Sequence, residues 1–220
     1  PVTVSVRSGA DAVKAENLIA KWNFENNIKD AGPNGFDAMK IGTVGFATGM
    51  TGMAAKFDGS SYLTVSNHDA LNPDNQMTLM AWMKPNGVTK GQDIIFKDQS
   101  YRARIDISLG AGAVQGAMAL RDDSGNLSWY TNNAHVQSQP GTAAAGIWQH
   151  LAVTYDGRDV RVYLDGLLVA NTSNSSRRTL NKSGNNVLIG QGFEGLIDDL
   201  RIYDAALSPE EIAQVVKDEE

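Results

Sequence analysis

The stretch that most limits how this chain can fold is residues 146–172, GIWQHLAVTYDGRDVRVYLDGLLVANT. Leu151, Val153 and Tyr155 alternate with small or polar neighbours, as do Val160, Val162 and Leu164, and Leu167 and Val169 open a third run. A period of two, filled with β-branched and aromatic side chains, marks strands buried on one face. The runs break at Asp156-Gly157 and Asp165-Gly166. Asp-Gly is a strong hairpin signal because glycine takes positive φ at no steric cost. The stretch therefore predicts a three-stranded antiparallel meander, one face of which must pack on a second sheet.

The rest of the chain repeats the theme. Strands are expected at 18–24, 77–83 (ended by Pro85), 92–97, 101–109, 187–189 and 196–203, with a hairpin over 54–65 bent at Asp58-Gly59 and another joining 117–120 to 127–131. Residues 132–146 and 171–185 read as long polar loops. Residues 1–17 read as a linker or an edge strand, since Val2, Val4 and Val6 alternate weakly. Only the end looks helical: Ser208-Pro209-Glu210-Glu211 is a capping box with proline at the first helical position, followed by an apolar stripe at Ile212, Val215 and Val216. The expected fold is one all-β domain over 18–220, a two-sheet antiparallel sandwich of jelly-roll type with one short C-terminal helix.

Several of these segments carry a resemblance. Trp148, His150, Val153, Tyr155, Asp156 and Gly157, followed by Tyr163, Asp165, Gly166 and Val169, resemble the signature of laminin G-like domains. Their concanavalin A-like jelly roll is shared with lectins, pentraxins and β-glucanases. Trp22, Phe24, Glu25, Asp30, Asn34 and Gly35 are similar to that family's first strand and loop, and AAKFDGSSYLTV at 54–65 to its next element. Its ending is matched by Ile197, Asp198, Asp199, Leu200, Arg201, Ile202 and Tyr203, then Ala206, Leu207, Ser208, Glu211 and Ile212. Four such motifs in order, across residues 18–213, are specific for the fold.

Composition removes several function classes. A net charge of −6 argues against a nucleic-acid partner, which needs a basic stripe, and against an anionic membrane surface. With no cysteine, disulfides, zinc-thiolate sites and cysteine nucleophiles are excluded. No apolar run approaches the ~18 residues of a membrane span. A start at Pro1 reads as a processed protein or an excised piece of a longer one, secreted or displayed at the cell surface.

Catalytic patterns are missing. His68, His135 and His150 are the only histidines, and none stands in metal-ligand spacing; His150, on a strand, reads as structural. The paired glutamates of the β-glucanase relatives have no counterpart around Asp106 or Asp198-Asp199, and the Arg-x-Glu-x-Arg strand of the alginate-lyase relatives is not matched at Arg102 and Arg104. The resemblance implies instead a structural calcium ion, with Asp198 of the last strand, Glu25 of the first, and Asp58 and Gly59 of the early hairpin around it. Hard cations take such oxygen ligands. The Asp30–Asn34 loop is a second oxygen-rich candidate.

Sugar binding needs aromatic platforms beside planar polar groups. Trp148 and Trp82 match framework positions and read as core, and Trp22 as half-exposed. Trp129 and Tyr130 are the candidate platform, expected on a strand with one ring in and one out. Asn132 and Asn133 follow as hydrogen-bonding groups, and Arg102 and Arg104, sharing a strand face, suit an acidic sugar. The expected function is a non-catalytic extracellular carbohydrate-binding module for a polysaccharide or surface glycan, attached to other domains of a larger enzyme or adhesin. Rival readings are a protein-interaction or spacer domain and a divergent hydrolase or lyase.

Overall fold

The computed structural model describes residues 9–174 and 176–219; Val2, Val4 and Val6, the expected edge strand, lie outside the described residues. In chain order the elements are α1 (Gly9–Ala12), β1 (Leu18–Trp22), β2 (Met39–Ile41), β3 (Gly45–Thr48), β4 (Met53–Asp58), β5 (Tyr62–Val65), β6 (Met77–Pro85), β7 (Gln92–Lys97), β8 (Tyr101–Asp106), β9 (Ala113–Met118), β10 (Leu120–Arg121), β11 (Leu127–Ser128), β12 (His135–Gln137), β13 (Gln149–Tyr155), β14 (Val160–Leu164), β15 (Leu167–Asn171), β16 (Thr179–Leu180), β17 (Val187–Ile189), β18 (Glu194–Tyr203) and α2 (Pro209–Glu219). The eight-stranded sheet runs β15-β14-β13-β6-β18-β4-β3, with β1 also on β18. The seven-stranded sheet runs β12-β9-β8-β7-β17-β5-β2, and β11-β10-β16 form a small third sheet. All their pairings are antiparallel.

The meander forms as its pattern requires. Leu151 faces Leu164 and Val153 faces Val162. The second turn is a two-residue loop, with Asp165 at φ 50° and Gly166 at φ 75°, the backbone of a type I′ hairpin. Leu79, Met83, Val153 and Val162 meet Ile95, Ile105, Val114 and Ile189 in the core between the two large sheets. The sheets approach so closely at Gly116 that a Cβ there would collide with Val153.

The two outer faces are treated differently. Met80, Ala152, Tyr163 and Tyr203, on the far side of the eight-stranded sheet, are covered by Ala10 of α1 and by Ile212 and Val215 of α2. That double burial explains why MTLMAWM in β6 is apolar at almost every position. The capping box forms: the Glu211 N–H donates to Ser208 Oγ at 3.2 Å and the Ser208 N–H to Glu211 Oε2 at 2.8 Å.

Three local expectations change. Residues 54–65 are not a hairpin: β4 belongs to the eight-stranded sheet and β5 to the seven-stranded one. Asp58 and Gly59 form the corner between sheets, where Asp58 Oδ1 accepts from the N–H groups of Ser60 and Ser61. The polar stretch 132–146 contains β12, paired to β9. The chain before β1 carries the short α1 and a 3₁₀ turn at Ala15–Asn17, held because Ala10 is buried and its carbonyl accepts from Arg201 Nη1 at 2.9 Å.

Candidate functional site

Two places collect chemistry. The first is a gap in the eight-stranded sheet. One edge of β18 is shared: β4 pairs with it from Glu194 to Ile197, and β1 from Leu200 to Tyr203. Asp198 and Asp199 fall between the two partners, on a bulge where Asp199 takes φ 43°. Bulges re-aim side chains, and here they open a cavity of about 240 Å³ whose lining includes Asn23, Glu25, Met50, Thr51, Asp198, Asp199, Arg201 and Glu219.

The β3–β4 turn wraps this cavity. Asp198 Oδ2 accepts from the N–H groups of Met50 at 3.0 Å and Thr51 at 3.3 Å, and Glu25 accepts from Met53 N–H at 3.2 Å. Cβ atoms at Gly49 and Gly52 would strike the Asp198 and Glu25 carboxylates, so both glycines are needed for the close approach. Burial pushes the Asp198 carboxyl up to about 7. Asp199 is different: burial would raise it, but the Arg201 guanidinium bonds it at 2.7 Å and holds it well below the usual carboxylate range. Arg201 is itself buried and also binds Glu219, which accepts from Trp82 Nε1 at 2.7 Å. Lys21 links Asp11 at 2.7 Å and Asp199 at 3.2 Å.

Of the residues implied as calcium ligands, the structure brings together Asp198 and Glu25. Asp58 and Gly59 are elsewhere: Ala55 faces Ile197 in the β4–β18 register, whereas Asp58 faces Glu194 at the other end, with its carboxylate spent on its own turn. The turn that reaches Asp198 is Gly49–Met53, one connection earlier. The repeat Thr-Gly-Met-Thr-Gly-Met at 48–53 was the available signal for it. Asp30 likewise serves its loop, accepting from the N–H groups of Lys21, Gly32 and Phe36. Among the described residues no group of three or more His, Asp or Glu is arranged to hold a metal ion. What the cavity offers is an acidic, all-oxygen pair, Asp198 and Glu25, beside the Asn23 amide; these donors suit a hard cation.

The second place is the outer face of the seven-stranded sheet, which no helix among the described residues covers. The register aligns Phe96, Arg102, Ala117 and His135 in one row across β7, β8, β9 and β12, and Asp93, Arg104, Gln115 and Gln137 in the next. Arg102 binds Asp93 in bidentate fashion, at 2.5 and 2.7 Å, stacks on Phe96 at 4.7 Å and donates to the Tyr130 hydroxyl at 2.7 Å. Arg104 contacts Asp93 at 3.6 Å and Asp106 at 3.3 Å. Two guanidiniums thus face two carboxylates, and the cationic pair expected to attract an acidic sugar is already matched.

Trp129 and Tyr130 are not on a strand. Both are half-buried and pack on each other, with ring centroids 4.6 Å apart, and Tyr130 also meets His135 edge-on at 5.8 Å. Tyr130, Asn132 and Asn133 take positive φ, 63°, 50° and 57°, so the strand alternation assumed for the aromatic pair does not apply. Asn132 and Asn133 are exposed, and their carbonyls are clamped by Arg178 at 2.8 and 3.3 Å. Neither Arg178 nor the Gln115–Gln137 pair was evident from local pattern, since both depend on pairings distant in sequence. Trp22 is fully buried rather than half-exposed, Trp82 is buried and Trp148 half-buried. His150, packed edge-on to Trp82 at 5.2 Å, is held by burial down at about 3 and is structural, as expected.

A model of the concanavalin A-like lectin/glucanases superfamily matches residues 57–213. The chain belongs to that superfamily. Within its fold, domain 4 of AbnA, a GH43 extracellular arabinanase from Geobacillus stearothermophilus solved in complex with arabinotriose, is similar at 22% identity and a TM-score of 0.71, covering 91% of this chain and 98% of that one. The binding domain of Paraclostridial Mosquitocidal Protein 1 is similar at 16% identity and a TM-score of 0.72, over 92% of this chain and 52% of that one. A structure of botulinum neurotoxin type C, whose cell entry depends on two ganglioside molecules, gives 12% and 0.73, over 94% and 52%. The chain thus spans about half of each toxin structure. At these identities the likeness shows a shared lectin/glucanase fold. No helix among the described residues is long and apolar enough to cross a membrane.

Proposed function

We propose that this chain is a non-catalytic carbohydrate-binding module that works outside the cell, joined to other domains of a larger enzyme or adhesin. The observation that carries the reading is the Trp129–Tyr130 pair, its rings in tilted contact, beside Arg102, His135, Arg104, Gln115 and Gln137 on the outer face of the seven-stranded sheet. Aromatic rings flanked by a few convergent polar groups are the chemistry by which sugars are held. The relative matched over almost its whole length was solved with a bound oligosaccharide, which supports the same class of ligand here. The absence of catalysis is supported by the state of the candidate groups: His150 is buried and neutral, and Asp199 is locked to Arg201.

The test is a glycan array followed by affinity electrophoresis on immobilised polysaccharides, with wild type and Trp129→Ala. Binding that weakens at least 30-fold in the variant, the ~2 kcal/mol expected of a tryptophan hot spot, is the predicted outcome. A chain that binds no glycan, while a neighbouring domain of its parent protein docks on it, would be a spacer.

Calcium is proposed as a structural ion at Asp198 and Glu25. Charge supports this: Asp11, Glu25, Asp198, Asp199, Asp218 and Glu219 line a cavity whose basic groups are Lys21 and Arg201. A bound cation would hold Asp198 ionised and tie the β3–β4 turn to β18.

A further inference from the structure

The row Asp93–Arg104–Gln115–Gln137 has hydrogen-bonding capacity that the protein does not use. Gln115 is 6% exposed, yet its Oε1 has no partner, and neither Gln137 Nε2 nor His135 Nδ1 has one. Gln115 Nε2 donates to Gln137 Oε1 at 3.5 Å, while the Ser108 hydroxyl, 3.0 Å from the same oxygen, gives its proton to Asp106 Oδ1 at 2.5 Å. Turning both amides together keeps their mutual hydrogen bond and again leaves one acceptor and one donor unpaired. What remains open is one acceptor and one donor, side by side across β9 and β12. Buried polar groups in folded proteins are almost always satisfied, so an unsatisfied pair of this kind calls for an absent partner.

The chemistry of that partner follows from the open valences. A hydroxyl donates and accepts at once, and so can serve Gln115 Oε1 and Gln137 Nε2 alike. A carboxylate or sulfate oxygen only accepts, and would leave Gln115 Oε1 unpaired. The guanidiniums that could offset this are already engaged: Arg102 by Asp93 and Tyr130, and Arg104 by Asp93 and Asp106.

We infer that the Gln115–Gln137 pair is the polar subsite of the sheet face and selects a neutral, hydroxyl-rich sugar chain over an acidic one. This rests on the carbohydrate-binding reading and names the ligand class for it. Rejection comes from the polar group left unpaired, a stronger filter than loss of a favourable contact.

The test titrates wild type, Gln115→Leu, Gln137→Leu and Trp129→Ala with neutral arabinan, xylan and β-glucan and with acidic polygalacturonate, alginate and heparan sulfate. Wild type is expected to bind at least one neutral chain more tightly than every acidic one. Each leucine variant should lose at least tenfold in that affinity while melting at or above wild type, because each removes a buried unpaired atom. Should a leucine variant melt lower, the near-isosteric Gln115→Met carries the measurement. Preference for an acidic chain overturns the inference. So does wild-type affinity in both glutamine variants alongside a loss in Trp129→Ala, an outcome that leaves the carbohydrate-binding reading standing. Failure of wild type to bind any chain overturns that reading and the subsite with it.

Discussion

The two outer faces of this sandwich carry similar residues to different ends. Each has an arginine held by carboxylate: Arg201 by Asp199 and Glu219 on the eight-stranded sheet, and Arg102 by Asp93 on the seven-stranded one. The side chain of Arg201 is 2% exposed beneath α1 and α2, whereas that of Arg102 is 18% exposed on a face that no helix among the described residues covers. On the covered face the charges join the chain's two ends to the sheet, since Arg201 reaches the Ala10 carbonyl and Glu219 in α2. On the open face they position Tyr130 and leave the surface neutral. The lesson is that burial, more than residue identity, separates a structural ion network from one available to a ligand.

The largest effect should expose that difference. Arg201→Met strands Asp199 and Glu219 beneath the helices, and removing one partner of a buried ion network costs about 3–5 kcal/mol. For a chain of this size that lowers Tm by roughly 6–20 °C. Arg102→Met leaves the buried Asp93 carboxylate with Arg104 still beside it at 3.6 Å and should cost about 1–2 kcal/mol, with Tm lower by roughly 2–8 °C. Thermal unfolding of both variants checks the contrast; equal losses would mean that the open face is as structural as the covered one.

Calcium comes next. A ligand that binds only the folded state stabilises it by about 2.7 kcal/mol at a hundredfold excess over its dissociation constant, so EDTA should lower Tm by roughly 5–11 °C. Asp198→Asn should abolish the EDTA response, and Asp58→Ala should leave it intact. Calorimetry with and without EDTA decides, and an unchanged midpoint in wild type sinks the ion. Asp58 is also where sequence and structure part. The meander and the capping box were legible because each is written in adjacent residues. The corner at Asp58-Gly59 was not, because an Asp-Gly turn looks the same whether the chain folds back on its own sheet or crosses to the other. The same limit hid β12, a three-residue strand defined only by β9, and the aromatic pair, whose positive φ values cancel strand alternation. The neutrality of the open face was equally hidden: Arg102 and Arg104 are visible in sequence as a cationic pair, but Asp93 joins them only through the β7–β8 register.

A smaller effect separates the covered face from the open one by pH. Asp198 is held up at about 7 against 3.8 in the unfolded chain. Between those values the folded protein keeps a proton that the unfolded chain has released, so this group's contribution falls as pH rises and is gone above about 7. His150, lowered by burial to about 3 from 6.5, acts in the opposite sense, its contribution rising with pH up to about 6.5, so the two offset each other in acid. From pH 6.5 to 8 in EDTA the Asp198 carboxyl should cost about 0.8 kcal/mol, or roughly 2–3 °C in Tm, and Glu219, held up by burial to about 8, adds to the same fall. Asp198→Asn should reduce that slope without abolishing it. Saturating calcium should remove or reverse it, because the ion binds the ionised carboxylate. A slope unchanged in Asp198→Asn would assign the whole titration to Glu219.

Among the substitutions, the smallest expected change in stability is at the open face. Trp129 is half-buried, and its ring packs on Tyr130; that aromatic pair is worth about 0.5–1.5 kcal/mol. Trp129→Ala should therefore lower Tm by no more than roughly 6 °C, less than loss of calcium or of Arg201, while removing the surface on which a sugar ring would stack. Stability and binding then separate: the covered face governs melting and the open face governs affinity. Melting and glycan affinity measured on the same preparations of Trp129→Ala and Arg201→Met should move in opposite proportion. A Trp129→Ala variant that melts as low as Arg201→Met would place the ring among the structural groups and remove the open face as a binding surface distinct from the core.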